Sequence, residues 1–103
     1  MAKRKEIRNS TAEFLIFQAE DKGQGIEVIY KDESVWCTQK AMATLFDCST
    51  DNVGLHLKNI FASGELIKDS VTEKISATAS DGKNYLTQFY NLDAIISVGY
   101  RVN

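Results

Sequence analysis

Proline is missing from this 103-residue chain, and cysteine and histidine are scarce, with two of the first and one of the second. There is also no internal repeat and no low-complexity stretch to mark a linker. At 44% apolar, with ten aromatic residues, the chain has the material for one domain with a modest single core. Cys37, Cys48 and His56 do not fall into CxxC or HxxxH spacing, so no zinc site and no cofactor are expected, and the thiols read as packed and reduced. No apolar run is long enough to cross a bilayer and no signal-peptide core is present, which points to a soluble, cytoplasmic protein. A G-x-S-x-G elbow, a phosphate loop and a paired cysteine and histidine are all lacking, so an enzyme is not expected.

Excess positive charge is lacking too. The formal net charge is −2, which weighs against a nucleic-acid binder if overall charge is the test. The basic residues that are present gather at the front. Lys3, Arg4, Lys5 and Arg8 against Glu6 give residues 1–8 a net charge of +3, leaving −5 for the rest. Residues 1–12 therefore read as a flexible basic arm, either a solvated leader or a contact to a phosphate backbone or minor groove. Residues 13–103 read as the folded domain.

Within that domain the stretch from Thr38 to Asn59 carries two short helical patterns joined by a polar turn. Met42, Leu45 and Phe46 have core spacing in the first, with the small Ala43 where two crossing helices must approach closely. Asp47-Cys48-Ser49 is the turn, with Ser49 as N-cap of the second helix. Val53, Leu57 and Ile60 then form one stripe at i, i+4 and i+7. A stripe packed inward leaves the opposite face available to a DNA major groove, the arrangement of a helix-turn-helix.

Three strand patterns precede the helices, 13–18 (EFLIFQ), 26–30 (IEVIY) and 34–37 (SVWC), and suggest a meander with Trp36 anchoring it to the helices. Gly64 marks the end of the second helix. A long hairpin follows, 71–79 against 84–90, around Ser80-Asp81-Gly82-Lys83. If Asp81 and Gly82 are a two-residue loop, Ala77 faces Leu86, Ile75 faces Gln88 and Thr78 faces Tyr85, giving the hairpin one more apolar face with which to lie on a helical core. A hairpin directly after a helix-turn-helix is a wing. A last helix begins at the N-cap Asn91, carries Leu92, Ile95, Ile96 and Val98, and stops at Gly99. The expected fold is α+β, a winged helix-turn-helix with an N-terminal β-meander and a short C-terminal helix. Tyr100 and Val102 follow the last helix without a polar tail, which suggests a domain cut from a longer protein. Residues 91–103 then become a docking surface for a second copy or for downstream sequence.

The segments VWCTQKAMATLF from Val35 and DGKNYLTQFYNLDAIISVGYRVN from Asp81 resemble the virulence-protein RhuM family. In that family a V-W-L-T-Q-x-x-[IM]-A-x-L-F segment leads to K-H-[IL]-K-N-I, then G-E-L, a D-G-K-x-Y hairpin and Y-N-L-D-x-I-I-S-V-G-Y-R-V-N. The matching positions here are Val35 to Phe46, His56 to Ile60, Gly64 to Leu66, Asp81 to Tyr85 and Tyr90 to Asn103. Leu55, where a lysine or arginine is common, and Cys37, in place of a larger aliphatic, depart from the pattern. The resemblance implies a bacterial cytoplasmic protein associated with virulence loci, several hundred residues long in full. It also implies an N-terminal region like the DNA-binding modules of phage and mobile-element proteins, with a transcriptional or mobile-element role.

Turning 100° per residue from Val53 sends Asp51, Leu55 and Lys58 to the far side of the second helix, flanked by Asn52, Gly54 and Asn59. Asn52 and Asn59 suit paired hydrogen bonds to adenine, Lys58 a phosphate or guanine, and Leu55 a thymine methyl. Asp51 can accept from cytosine, though an acid at a helix N-terminus is equally explained by the helix dipole. Thr38 and Gln39, at the start of the first helix, suit phosphate contacts, as does Lys83 at the wing tip beside Ser80 and Asn84. His56 reads as structural, Tyr85 and Phe89 as an outer strand face, and Glu65 and Asp69 as solvated acids. The expected partner is double-stranded DNA. The alternative is a protein-interaction or scaffold module that binds no nucleic acid, and no membrane association is expected in either case.

Overall fold

The computed structural model describes residues 28–102; the expected basic arm, the strand at 13–18 and the start of the strand at 26–30 lie outside them. The order is β1 (Val28–Lys31), β2 (Ser34–Thr38), α1 (Gln39–Leu45), α2 (Thr50–Ala62), α3 (Lys68–Val71), β3 (Thr72–Thr78), β4 (Asn84–Asn91) and α4 (Leu92–Arg101). The strands form one antiparallel sheet in the order β1-β2-β4-β3. Among the described residues the fold is thus α+β, a four-stranded antiparallel sheet with four helices. No helix among the described residues is long and apolar enough to cross a membrane.

Side chains alternate across β2, so Val35 and Cys37 enter the helix-side core with Tyr90 of β4, while Trp36 points to the other face. Met42 of α1, the Val53, Leu57 and Ile60 stripe of α2, Val71 of α3 and Ile95 and Val98 of α4 complete that core. Met42, Val53, Ile60, Ile95 and Val98 are fully buried, each worth about 1.5–3 kcal/mol of apolar transfer. Burial pushes the Cys37 thiol up to about 12, leaving it an inert packing group.

Trp36 does not anchor the strands to the helices as the sequence suggested. Its indole Nε1 donates to the Lys31 carbonyl at 2.9 Å, closing the β1–β2 hairpin on the sheet's outer face, with Lys31 Nζ 5.7 Å from the ring centroid. Lys31 also reaches Glu73 of the opposite edge strand at 2.7 Å, which requires a strongly coiled sheet. On this same face Phe89 is 0% exposed, so it is not the open aromatic expected.

The hairpin departs by one register position. Thr78 pairs with Asn84, Ala77 with Tyr85 and Ile75 with Thr87. The loop is Ser80-Asp81-Gly82 rather than Asp81-Gly82. Gly82 N–H donates to Ala79 O at 3.0 Å, Gly82 takes φ +83°, and Ala79 N–H donates to Lys83 O at 2.8 Å. This is a type I turn with a glycine bulge, which adds one residue to the loop and shifts every pair by one. The far half of the hairpin does not lie on the core; Ser76, Thr78, Asn84, Tyr85 and Leu86 are all exposed.

Two further boundaries differ. Val71 belongs to α3, a one-turn helix with no sequence signal strong enough to announce it. Gly99 does not stop α4, which continues to Arg101; a Cβ there would lie 3.0 Å from two carbons of the Phe46 ring, so glycine makes room for the end of α1.

Candidate nucleic-acid interface

The helix pair is held by local chemistry. Thr38 caps α1, its hydroxyl accepting from Ala41 N–H at 3.0 Å, and Ser49 caps α2, accepting from Asn52 N–H at 3.0 Å. Between them α1 closes in a Schellman motif. Cys48 N–H donates to Ala43 O at 3.0 Å and Asp47 N–H to Thr44 O at 3.3 Å, with Asp47 at φ 55°. Gln39 Nε2 then donates to the Thr50 carbonyl at 2.9 Å and lies against Gly54, where any Cβ would meet that nitrogen at 2.7 Å. Gly54 thus leaves room for the Gln39 side chain between the two helices, and Ala43 is buried in the core.

This geometry divides the sequence-derived site residues. Asp51, Leu55, Lys58 and Asn59 are exposed together on the outward face of α2, and Asn52 is half-buried at its margin. Thr38 and Gln39 are both half-buried; Thr38 is engaged as the cap of α1, and Gln39 ties α1 to the start of α2. His56 is half-buried at the edge of the core stripe.

Lys83 stands apart at the exposed tip of the β3–β4 hairpin. Asp81 braces this tip by accepting from Lys83 N–H at 2.9 Å and from the Tyr85 hydroxyl at 2.7 Å. The Tyr85 bond, with the Lys83 amide second, holds the Asp81 carboxyl below its ordinary range, and Asp81 in turn raises the Tyr85 phenol. Thr78 Oγ1 and Asn84 Oδ1, 2.7 Å apart, close the neck of the loop. The Asp81 brace was not anticipated, although an acid two residues before a backbone N–H in a turn is its usual signature.

The electrostatics are mixed. Glu65 is exposed as expected, but it is also paired: Arg101 lies 2.8 Å from it, and Arg101 first, then Ser97, holds its carboxyl below the ordinary range. The acidity beside the end of α2 is thus partly neutralised. The ion pairs among the described residues use Lys31 and Arg101, and Lys40, Lys58, Lys74 and Lys83 are exposed and take no part in them. No group of three or more His, Cys, Asp or Glu side chains among the described residues is placed to hold a metal. No protein-family model, curated protein or solved structure matches the chain.

Proposed function

We propose that the chain is a winged helix-turn-helix DNA-binding module of the RhuM-like kind, with α2 entering the major groove and the β3–β4 hairpin acting as the wing. The observation that carries this reading is the two-sidedness of α2. Val53, Leu57 and Ile60 are at most 3% exposed, while Asp51, Leu55, Lys58 and Asn59 stand together on the opposite face. A helix rigidly capped and pinned by Gln39, with its polar face free, is what groove entry requires. The braced, projecting hairpin that follows α3 supplies a second contact, with Lys83 at its tip meeting a phosphate or the minor groove. On α2, Lys58 meets a phosphate or guanine, Asn52 and Asn59 hydrogen-bond adenine edges, and Asp51 accepts from a cytosine amino group.

A second reading, a protein-interaction module, is favoured by the net charge of −2 and by exposed Leu55 and Tyr100. Fluorescence anisotropy with a random duplex pool separates the two. The DNA reading expects weak binding whose log affinity falls with log salt at a slope of about −3 to −4. Lys58→Ala should weaken binding to every sequence, and Asn52→Ala should relax preference at one position by roughly 1–3 kcal/mol. No complex at low ionic strength removes the DNA reading.

A further inference from the structure

We propose that Leu55 is the residue through which α2 selects thymine, by contact with the thymine 5-methyl group; this rests on the DNA-binding reading above. Leu55 is 55% exposed. It occupies the middle of the outward face, with Asp51 and Asn59 about 40° to either side of it and Asn52 and Lys58 about 60° to either side at 3.6 residues per turn. All four neighbours are charged or hydrogen-bonding. Exposed Ala62, seven residues on and about 20° away, adds only one methyl group, so the apolar area around Leu55 on this face is small.

For a helix laid in a major groove, the middle of the inserted face is directed most squarely at the base edges. The edges there present acceptors at purine N7, guanine O6 and thymine O4 and amino donors on adenine and cytosine, with one alkyl group, the thymine methyl. An isobutyl side chain over an acceptor or amino group displaces its water and returns no hydrogen bond, which penalises that base. Over the methyl, the same side chain removes apolar surface from water on both partners. The polar flanks then read the neighbouring positions while Leu55 excludes alternatives at its own.

The test uses the full chain. Duplexes selected from a random pool are remade with deoxyuridine for thymidine one position at a time, which removes the methyl and leaves base pairing and groove hydrogen bonds intact. At one position the wild-type chain should bind the uridine duplex about three- to fivefold more weakly, the effect of losing one buried methyl. Leu55→Ala, measured at low salt where backbone contacts still hold the duplex, should bind the two duplexes equally. If the wild-type chain tolerates uridine everywhere, or Leu55→Ala keeps the thymidine preference, the assignment of Leu55 is overturned while the DNA reading stands. If no duplex is bound even at low salt, both fall together.

Discussion

Helices α1 and α2 end in the same backbone motif but for different reasons. Both close with a pair of bonds from the two residues after the cap, Cys48 to Ala43 and Asp47 to Thr44 in α1, Glu65 to Ile60 and Gly64 to Phe61 in α2. The left-handed position is Gly64 in α2, with φ 79° and no atom within 4 Å of where a methyl group would stand, whereas in α1 it is Asp47 at φ 55°. Gly64 allows the stop locally. At Asp47 the conformation is imposed by what lies on either side of it. Phe46 packs on Gly99 of α4, and the Ser49 cap must start α2 two residues later. The turn of the helix pair is therefore set by tertiary contact, and the end of α2 by its own sequence.

The sharpest way to break this comparison is to remove the contact that imposes the first stop. Gly99→Val puts a branched side chain where even a methyl is 3.0 Å from the Phe46 ring, and overpacking of this kind costs about 1–3 kcal/mol. Phe46→Ala should destabilise as well. The double variant should lose less than the two losses added, since the introduced isopropyl group would then fill the space the ring vacates. Urea denaturation of the four proteins measures this. Strict additivity would show that Phe46 and Gly99 do not set the end of α1.

A smaller effect comes from exchanging the stops. Gly64→Asp places a side chain at φ 79° and should cost about 1 kcal/mol. Asp47→Gly relieves the same strain but frees the unfolded chain, so its gain should be smaller, under about 1 kcal/mol. The exchange of both should leave the domain slightly less stable than the parent. Equal and opposite effects would mean that the two turns are governed alike.

The same division explains what was legible in the sequence. Ser49 and Asn91 as caps, Gly64 as a stop and the Val53, Leu57 and Ile60 stripe are local signals, and each stands where the spacing put it. Gly99 misled because its reason lies in Phe46, more than fifty residues away in sequence. Gln39 gave no sign that it would be spent on the Thr50 carbonyl. Trp36 was readable: with Val35 and Cys37 turned inward, alternation along β2 leaves it the opposite face. The hairpin register slipped because Asp-Gly serves both two-residue and three-residue loops, and only the φ of Gly82 together with the Ala79 bonds tells them apart. On α2 the outward places of Asp51, Leu55, Lys58 and Asn59 were legible as the complement of the buried stripe, whereas Gly54, set beside them by spacing, packs against Gln39 of α1.

The smallest expected effect concerns a third reversal, which combines the devices of the other two. The tip of the β3–β4 hairpin has a glycine in the left-handed region, as the end of α2 does, and two side-chain bonds made by Asp81. Folding lowers the Asp81 carboxyl from its ordinary value of 3.8, so the brace contributes at pH above that value and is lost as the pH falls below it. The group is exposed, so the tip should loosen without unfolding the domain. By nuclear magnetic resonance the Lys83 amide should titrate in the acid range below 3.8 while amides of α2 do not, and Asp81→Asn should abolish that titration. If the Lys83 amide is unchanged by acid, or moves only together with the core, glycine alone makes the hairpin turn, and it resembles the end of α2 more closely than its side-chain bonds suggest.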